Sequence, residues 1–185
     1  VGNVSAFKEF NIRRCFLDPG TSYSNCEIQL HVFSDASSYA YGMCAYIRII
    51  NRGSKQISMI LVMGKSRVGP KRAVTIPRLE LQAATLGVKI GDFLIQELKY
   101  PSLSLYYWTD SKTVLGYISN DAKKFHTYVS NRVQRIRDSS SPQQWRYVAS
   151  KENPADMASR GGDVMELFTS WLHGPEFLSH PSLCL

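Results

Sequence analysis

The sequence is poor in cysteine, and what it has is not arranged for metal. Four occur among 185 residues, at Cys15, Cys26, Cys44 and Cys184. None forms a C-x-x-C pair and no histidine stands at zinc-ligand spacing from them, which excludes a zinc ribbon or finger. Such usage fits a reducing, intracellular compartment. Long apolar runs are missing too. Nothing approaches the roughly 18 consecutive apolar residues of a membrane-spanning helix. Residues 1–10 lack the basic patch and apolar core of a signal peptide, so the sequon Asn3-Val4-Ser5 carries no weight. The first residue is Val rather than Met, which suggests a piece of a longer chain. Internal repeats and low-complexity tracts are absent.

What is present is ordinary globular composition, with 44% hydrophobic and 20% charged residues. The length predicts one domain able to bury about 70% of its unfolded surface without staples. Lys and Arg number 22 against 15 acids, a net charge of +7. The pI of 9.3 is the electrostatic footprint of a polyanion binder. Charge alone leaves open a basic protein with no nucleic-acid role.

Residues 28–34 (IQLHVFS) alternate apolar and polar types and predict a strand, ending in the turn Asp35-Ala36-Ser37-Ser38. Residues 40–50 read as a second strand, closed by Asn51-Arg52-Gly53-Ser54, and 57–65 as a third. Three strands on short turns predict an antiparallel meander. The period then becomes helical. Pro77 can begin a helix, Leu79, Ala83, Leu86, Ile90, Phe93 and Leu94 recur at helical spacing, and Pro101 ends the run. Residues 103–109 (LSLYYWT) form a fourth strand, ending at Asp110-Ser111, and 112–119 a short helix. Residues 125–137 form a helix with Phe125, Val129, Val133 and Ile136 on one face, and 145–149 a fifth strand. Asn153-Pro154 opens a last helix that Gly161-Gly162 stops. A meander followed by alternating units predicts a mixed sheet with helices on its faces.

Four acids stand at the ends of these elements. Asp35 and Asp110 follow strands, where sites form in open α/β sheets, although either alone is also an ordinary turn residue. Glu80 lies off the polar arc of Gln82, Lys89, Asp92 and Gln96 and in line with Ala84, Gly87 and Gly91. That ridge of small residues suits close packing on a sheet. A carboxylate pointing along it must be paired or metal-bound, although an acid in the first turn is also an ordinary partner of the helix dipole. Asp156 sits in the first turn of the last helix, where a capping role is equally ordinary. If the two central strands are neighbours, the four converge. Four carboxylates together repel unless cations neutralise them, and all-oxygen ligands suit Mg²⁺ or Mn²⁺. A pair of such ions is the clamp used for in-line phosphodiester cleavage.

Ser34-Asp35-Ala36-Ser37, the run 76–81 (IPRLEL), Trp108-Thr109-Asp110-Ser111 and the run 153–161 (NPADMASRG) together resemble the ribonuclease H domain of Bel/Pao-type LTR retrotransposon polyproteins. The order Asp, Glu, Asp, Asp at spacings of 45, 30 and 46 residues agrees with that family. The resemblance implies an α/β ribonuclease H-like fold: a five-stranded mixed sheet, its first three strands antiparallel, with helices on both faces. It covers about residues 28–162. Residues 1–27, around Ile12-Arg13-Arg14-Cys15, resemble the end of a reverse-transcriptase connection. Residues 163–185, with the run 170–178 (SWLHGPEFL), resemble a linker toward a following domain. The implied activity is an endonuclease cutting the RNA strand of RNA–DNA hybrids during reverse transcription. Asp35, Glu80, Asp110 and Asp156 would hold two Mg²⁺ ions, with Mn²⁺ as substitute. The implied partners are the hybrid and the reverse transcriptase domain of the same polyprotein, with no membrane and no small-molecule cofactor. The implied location is intracellular: cytoplasm, virus-like particle or nucleus. One departure stands out. Many relatives carry a His on the loop before the fourth acid, whereas residues 148–153 (VASKEN) have none, leaving Lys151 or Glu152 as substitutes.

Lys124, Asn131 and Arg135 on one helix face are candidates for phosphate contacts, a solvated helix face being the equal alternative, and Ser37 and Ser111 beside the acids are candidates that also read as ordinary turn serines. Tyr106, Tyr107 and Trp108 read as core aromatics. Two alternatives stay open. One is an inactive module of the same fold that binds hybrid and supports a polymerase. The other is an integrase-like transferase, disfavoured because Glu80 comes second rather than late. The Asp-Thr/Ser-Gly signature of an aspartic protease is absent.

Overall fold

The computed structural model describes residues 23–71, 74–100, 102–120, 124–162, 171–181 and 183. The segment around Ile12–Cys15 lies outside the described residues. The strands are β1 (Cys26–Ala36), β2 (Ala40–Asn51), β3 (Ile57–Val68), β4 (Leu103–Thr109) and β5 (Trp145–Tyr147). They form one sheet in the order β3-β2-β1-β4-β5. β1–β2 and β2–β3 are antiparallel, while β1–β4 and β4–β5 are parallel. The meander and the adjacency of the two central strands are as the sequence predicts.

Pairing moves some boundaries. β1 runs on through Ala36 because it stays paired to β2 up to Ala36 opposite Tyr41. Asp35 is therefore a strand residue opposite Gly42, not a turn residue. β5 is shorter than expected, since it pairs only with Tyr107, Trp108 and Thr109 before the chain turns away at Ser150.

The alternation along the strands builds two cores. On one face Ile28, Leu30, Val32, Met43, Ala45, Ile47 and Tyr107 lie under three helices. These are α1 (Ile76–Leu98), α2 (Lys112–Ser119) and α3 (Thr127–Ser139). The small-residue ridge of α1 is buried as expected. At Gly91 a Cβ would stand 2.6 Å from the Tyr107 hydroxyl, so only glycine allows this approach. α3 starts later than predicted, at Thr127, leaving Phe125 before the helix with its ring against Tyr117, centroids 5.0 Å apart.

The opposite face carries Phe33, Cys44, Tyr46 and Trp108, covered by α4 (Ala155–Arg160) and by residues 171–181. The tail set apart as a linker thus contributes Trp171, Phe177 and the fully buried Leu178 to a core. A buried polar network fastens it. The Trp108 indole donates to His31 Nδ1 at 3.1 Å. An indole only donates, so the imidazole proton sits on Nε2 and goes to Gln29 Oε1 at 3.1 Å. Arg48, 2% exposed, donates to the same Gln29 oxygen at 2.9 Å. It also donates to the carbonyls of Leu178 at 2.6 Å and His180 at 2.8 Å.

Candidate active site and basic cleft

Ser34 pairs with Thr109 across the parallel centre of the sheet, so Asp35 and Asp110 follow side by side at one edge. By alternation both continue the face of Phe33 and Trp108, toward α4. Asp35 is buried, and its carboxylate accepts the hydroxyl of Ser159 in α4. Burial raises its pKa above the usual carboxylate range, and the charges of Asp110 and Asp156 raise it further, against the Ser159 hydrogen bond. Three of the four predicted acids thus share one electrostatic field.

Glu80 reaches the same edge from the other face. It comes from the first turns of α1, where Ser111 donates to its Oε2 at 2.6 Å. The Ser111 Oγ also accepts the Val114 amide at 3.1 Å, capping α2. Ser37 is engaged similarly. Its hydroxyl lies 2.8 Å from the Ser159 carbonyl and 3.2 Å from the amides of Tyr39 and Ala40. Both serines are buried. They hold the site together, and their hydroxyls are spent inside the protein rather than turned toward a substrate.

α4 is fixed on several sides. Asn153 donates from Nδ2 to the Ser34 carbonyl at 3.1 Å and accepts the Ala155 amide at 3.2 Å; the N-cap of α4 is Pro154, one residue later than the sequence predicts. Ala158 lies so near β2 that a Cβ on Gly42 would be 2.7 Å from its own. Asp156 pairs with Arg160 at 2.6 Å. A cleft of about 750 Å³ opens beside Asp156, bordered by Lys151, Glu152, Trp171 and His173. Lys151, Glu152 and His173 therefore border a cleft that Asp156 also lines, while Asp35, Glu80 and Asp110 do not line it. The contact of Ser159 with Asp35 is not anticipated by the sequence reading. Ser159 carries a signal, being one helical turn from Asp156.

Among the described residues, no three His, Cys, Asp or Glu side chains stand close enough together to hold an ion. Each of three carboxylates is drawn to its own partner: Asp35 to Ser159, Glu80 to Ser111 and Asp156 to Arg160. Asp110 differs. Its Oδ1 is buried with no hydrogen-bond partner. A solvent-shielded carboxylate oxygen left without a partner beside the buried Asp35 is unfavourable unless a cation satisfies it. The oxygen-rich donor set suits a hard divalent ion.

A second cleft, of about 310 Å³, lies between α1 and α3. Arg67, Lys89, Asn131, Arg132 and Arg135 border it, with Gln82 at one side. Arg132 lies over the Tyr128 ring, 3.5 Å from its centroid, and donates to the Tyr128 carbonyl at 3.0 Å. Arg135 is paired to Asp92 at 3.1 Å. Two of the three expected basic-face residues, Asn131 and Arg135, thus join a larger basic group. Lys124 does not, because it precedes the start of α3.

Sheet order, parallel central strands and acids at their ends define a ribonuclease H-like domain. A family model described as the Pao retrotransposon-like RNaseH-like domain matches residues 2–111. The chain belongs to that family. No curated protein matches its sequence. Solved structures give fold likenesses at low identity. The N-terminal ribonuclease H domain of a Mycobacterium tuberculosis protein is 12% identical with a TM-score of 0.47, covering 72% of this chain and 91% of its own. Ribonuclease H1 of Halobacterium salinarum is 11% identical with a TM-score of 0.44, covering 71% and 92%. LC11-RNase H1, from compost and solved with an RNA/DNA hybrid, is 11% identical with a TM-score of 0.45, covering 71% and 93%. The family assignment rests on the sequence match, not on these likenesses. Among the described residues no helix is long and apolar enough to cross a membrane.

Proposed function

We propose that this domain is a metal-dependent endonuclease that hydrolyses the RNA strand of RNA–DNA hybrids during retrotransposon reverse transcription. The observation that carries the reading is the orphaned Asp110 Oδ1 beside Asp35, whose carboxyl also feels Asp156. Asp35, Asp110, Glu80 and Asp156 would hold Mg²⁺, two ions in all, with Mn²⁺ as substitute. Bound there, the metal supplies Lewis-acid stabilisation and a nucleophilic water for phosphodiester hydrolysis. The chain's own residues do the rest. Ser159 orients Asp35, and Ser111 holds Glu80 toward Asp110. Arg132, Asn131 and Arg135 bind backbone phosphates of the duplex at a distance from the acids, which would themselves repel it. The reverse transcriptase domain of the same polyprotein would present the hybrid.

The 2.6 Å pairing of Asp156 with Arg160 favours a second reading, a module of the same fold that binds hybrid without cutting it. One experiment separates them. An end-labelled RNA–DNA hybrid is incubated with the chain in Mg²⁺, in EDTA, and with Asp110→Asn. Metal-dependent cutting of the RNA strand that vanishes in the variant is expected. Salt-sensitive hybrid binding with no cutting, in Mn²⁺ as well, would overturn the nuclease reading in favour of the module.

A further inference from the structure

α4 has six residues, far fewer than the roughly 12–15 at which a helix sustains itself in water. Its position is therefore set by tertiary contacts. Those from Ser34 and Gly42 come from within the sheet, and that from Ser37 comes from the turn between β1 and β2. Another comes from the tail, where the Trp171 indole donates from Nε1 to the carbonyl of Pro154, the residue before α4, at 3.0 Å.

That indole is tightly seated. Its ring lies on Gly64 of β3, where a Cβ would overlap the ring edge and stand 2.8 Å from Cζ2. A glycine inside an edge strand weakens it, and the indole supplies the reason for this one. The Trp171 carbonyl accepts the Tyr46 hydroxyl at 2.6 Å. The far end of the tail is held by Arg48. Trp171 is thus fastened on both sides before it touches α4.

We propose that Trp171 is a positioning residue for the acid cluster: seated on Gly64, it holds the start of α4 through the Pro154 carbonyl, so that Asp156 and Ser159 meet Asp35. The inference rests on reading those acids as the catalytic centre. It makes the tail part of the functional unit and assigns a role to two residues outside the acid motifs.

The test uses the full chain and four variants: Trp171→Phe, which removes the N–H together with the five-membered ring that carries it; Gly64→Ala, which displaces the indole; Trp171→Ala; and the last two combined. Amide hydrogen exchange is followed by segment, and Mn²⁺ binding is titrated by calorimetry. In Trp171→Phe and Gly64→Ala, residues 155–160 should exchange about five- to tenfold faster with β1 and β4 unchanged. Mn²⁺ affinity should fall about tenfold, as when a group behind a metal ligand is lost. Gly64→Ala should add nothing once Trp171 is Ala. Unchanged exchange in α4, equal acceleration of β1 and β4, or unchanged Mn²⁺ affinity would each overturn the proposal. So would a Gly64→Ala effect that persists without the indole. Exchange needs no cleavage, so a chain that fails to cut hybrid sinks the catalytic reading, while the exchange pattern still decides whether Trp171 holds α4.

Discussion

The hydroxyl of Ser111 joins two elements that the chain separates by a whole strand: it donates to Glu80 Oε2 at 2.6 Å and accepts the Val114 amide at 3.1 Å. One atom thus caps α2, tethers the acid of α1 and sits beside Asp110. Ser111→Ala should cost about 0.5–2 kcal/mol, the usual range for a lost cap. In a domain of this size that lowers the melting temperature by about 2–4 °C per kcal/mol. Glu80 is freed at the same time, so metal-dependent cleavage should weaken beyond what stability explains. Thermal melts and cleavage assays on Ser111→Ala and Ser111→Thr check this. Equal activity in the alanine variant and the wild type would break the link to Glu80.

Asp35 trades stability for its position. Its folded pKa lies above the unfolded value of 3.8, first through burial and then through Asp110 and Asp156. The native state therefore holds the proton to higher pH than the unfolded chain does. The sign follows: Asp35 lowers stability as pH rises through its folded pKa. Asp35→Asn keeps an acceptor for Ser159 and removes the charge. In EDTA at pH 7 the variant should be more stable than the wild type, and the gain should shrink as pH falls toward 3.8. It should also lose cleavage. Urea unfolding at two pH values decides it, and a less stable variant at pH 7 would refute the account.

The parts of the fold that the sequence made legible are those where local signals and tertiary contacts agree. β4 ends at Thr109 and α2 spans 112–119 as read, because Asp110-Ser111 breaks the strand pattern ahead of the helix. The Ala84-Gly87-Gly91 ridge announced the face of α1 that meets the sheet. The acids were legible as residues but not in their pairings, since Ser159 lies 124 positions from Asp35. The tail escaped because nothing local in residues 171–181 says that Arg48 and Gly64 wait for it. Lys124 was misplaced by a helix boundary, which periodicity leaves uncertain by a few residues.

His31 should make the domain acid-sensitive. Burial, with help from Arg48, pushes its pKa down to about 3 from 6.5. The unfolded chain takes up a proton below 6.5 that the native protein refuses. Stability is thus full above that value and falls as pH drops toward 3. The slope is at most about 1.4 kcal/mol per pH unit for this group. His31→Gln retains one acceptor and one donor without titrating. Urea unfolding at pH 7, 5.5 and 4 should show a shallower decline for His31→Gln than for the wild type. Parallel declines would remove His31 as the cause.

The cleft between α1 and α3 should carry the salt dependence of binding. Arg132 is held in advance by the face and carbonyl of Tyr128, so it loses little side-chain freedom on meeting a phosphate. Arg135 is shared with Asp92 and gives up that pairing to bind, which discounts its contribution. Lys89 is exposed and borders the same cleft. Each true phosphate contact releases counterions, so its loss lowers the slope of log K against log salt by about 1. Arg132→Ala should do so fully and Arg135→Ala by less, with weakening uniform across hybrid sequences because phosphates carry no base identity. Lys124→Ala, outside the cleft, should leave the slope unchanged. Fluorescence-anisotropy titrations of a labelled hybrid across a salt series measure all three. A slope that drops for Lys124→Ala and not for Arg132→Ala would move the docking surface from the cleft to the residues before α3.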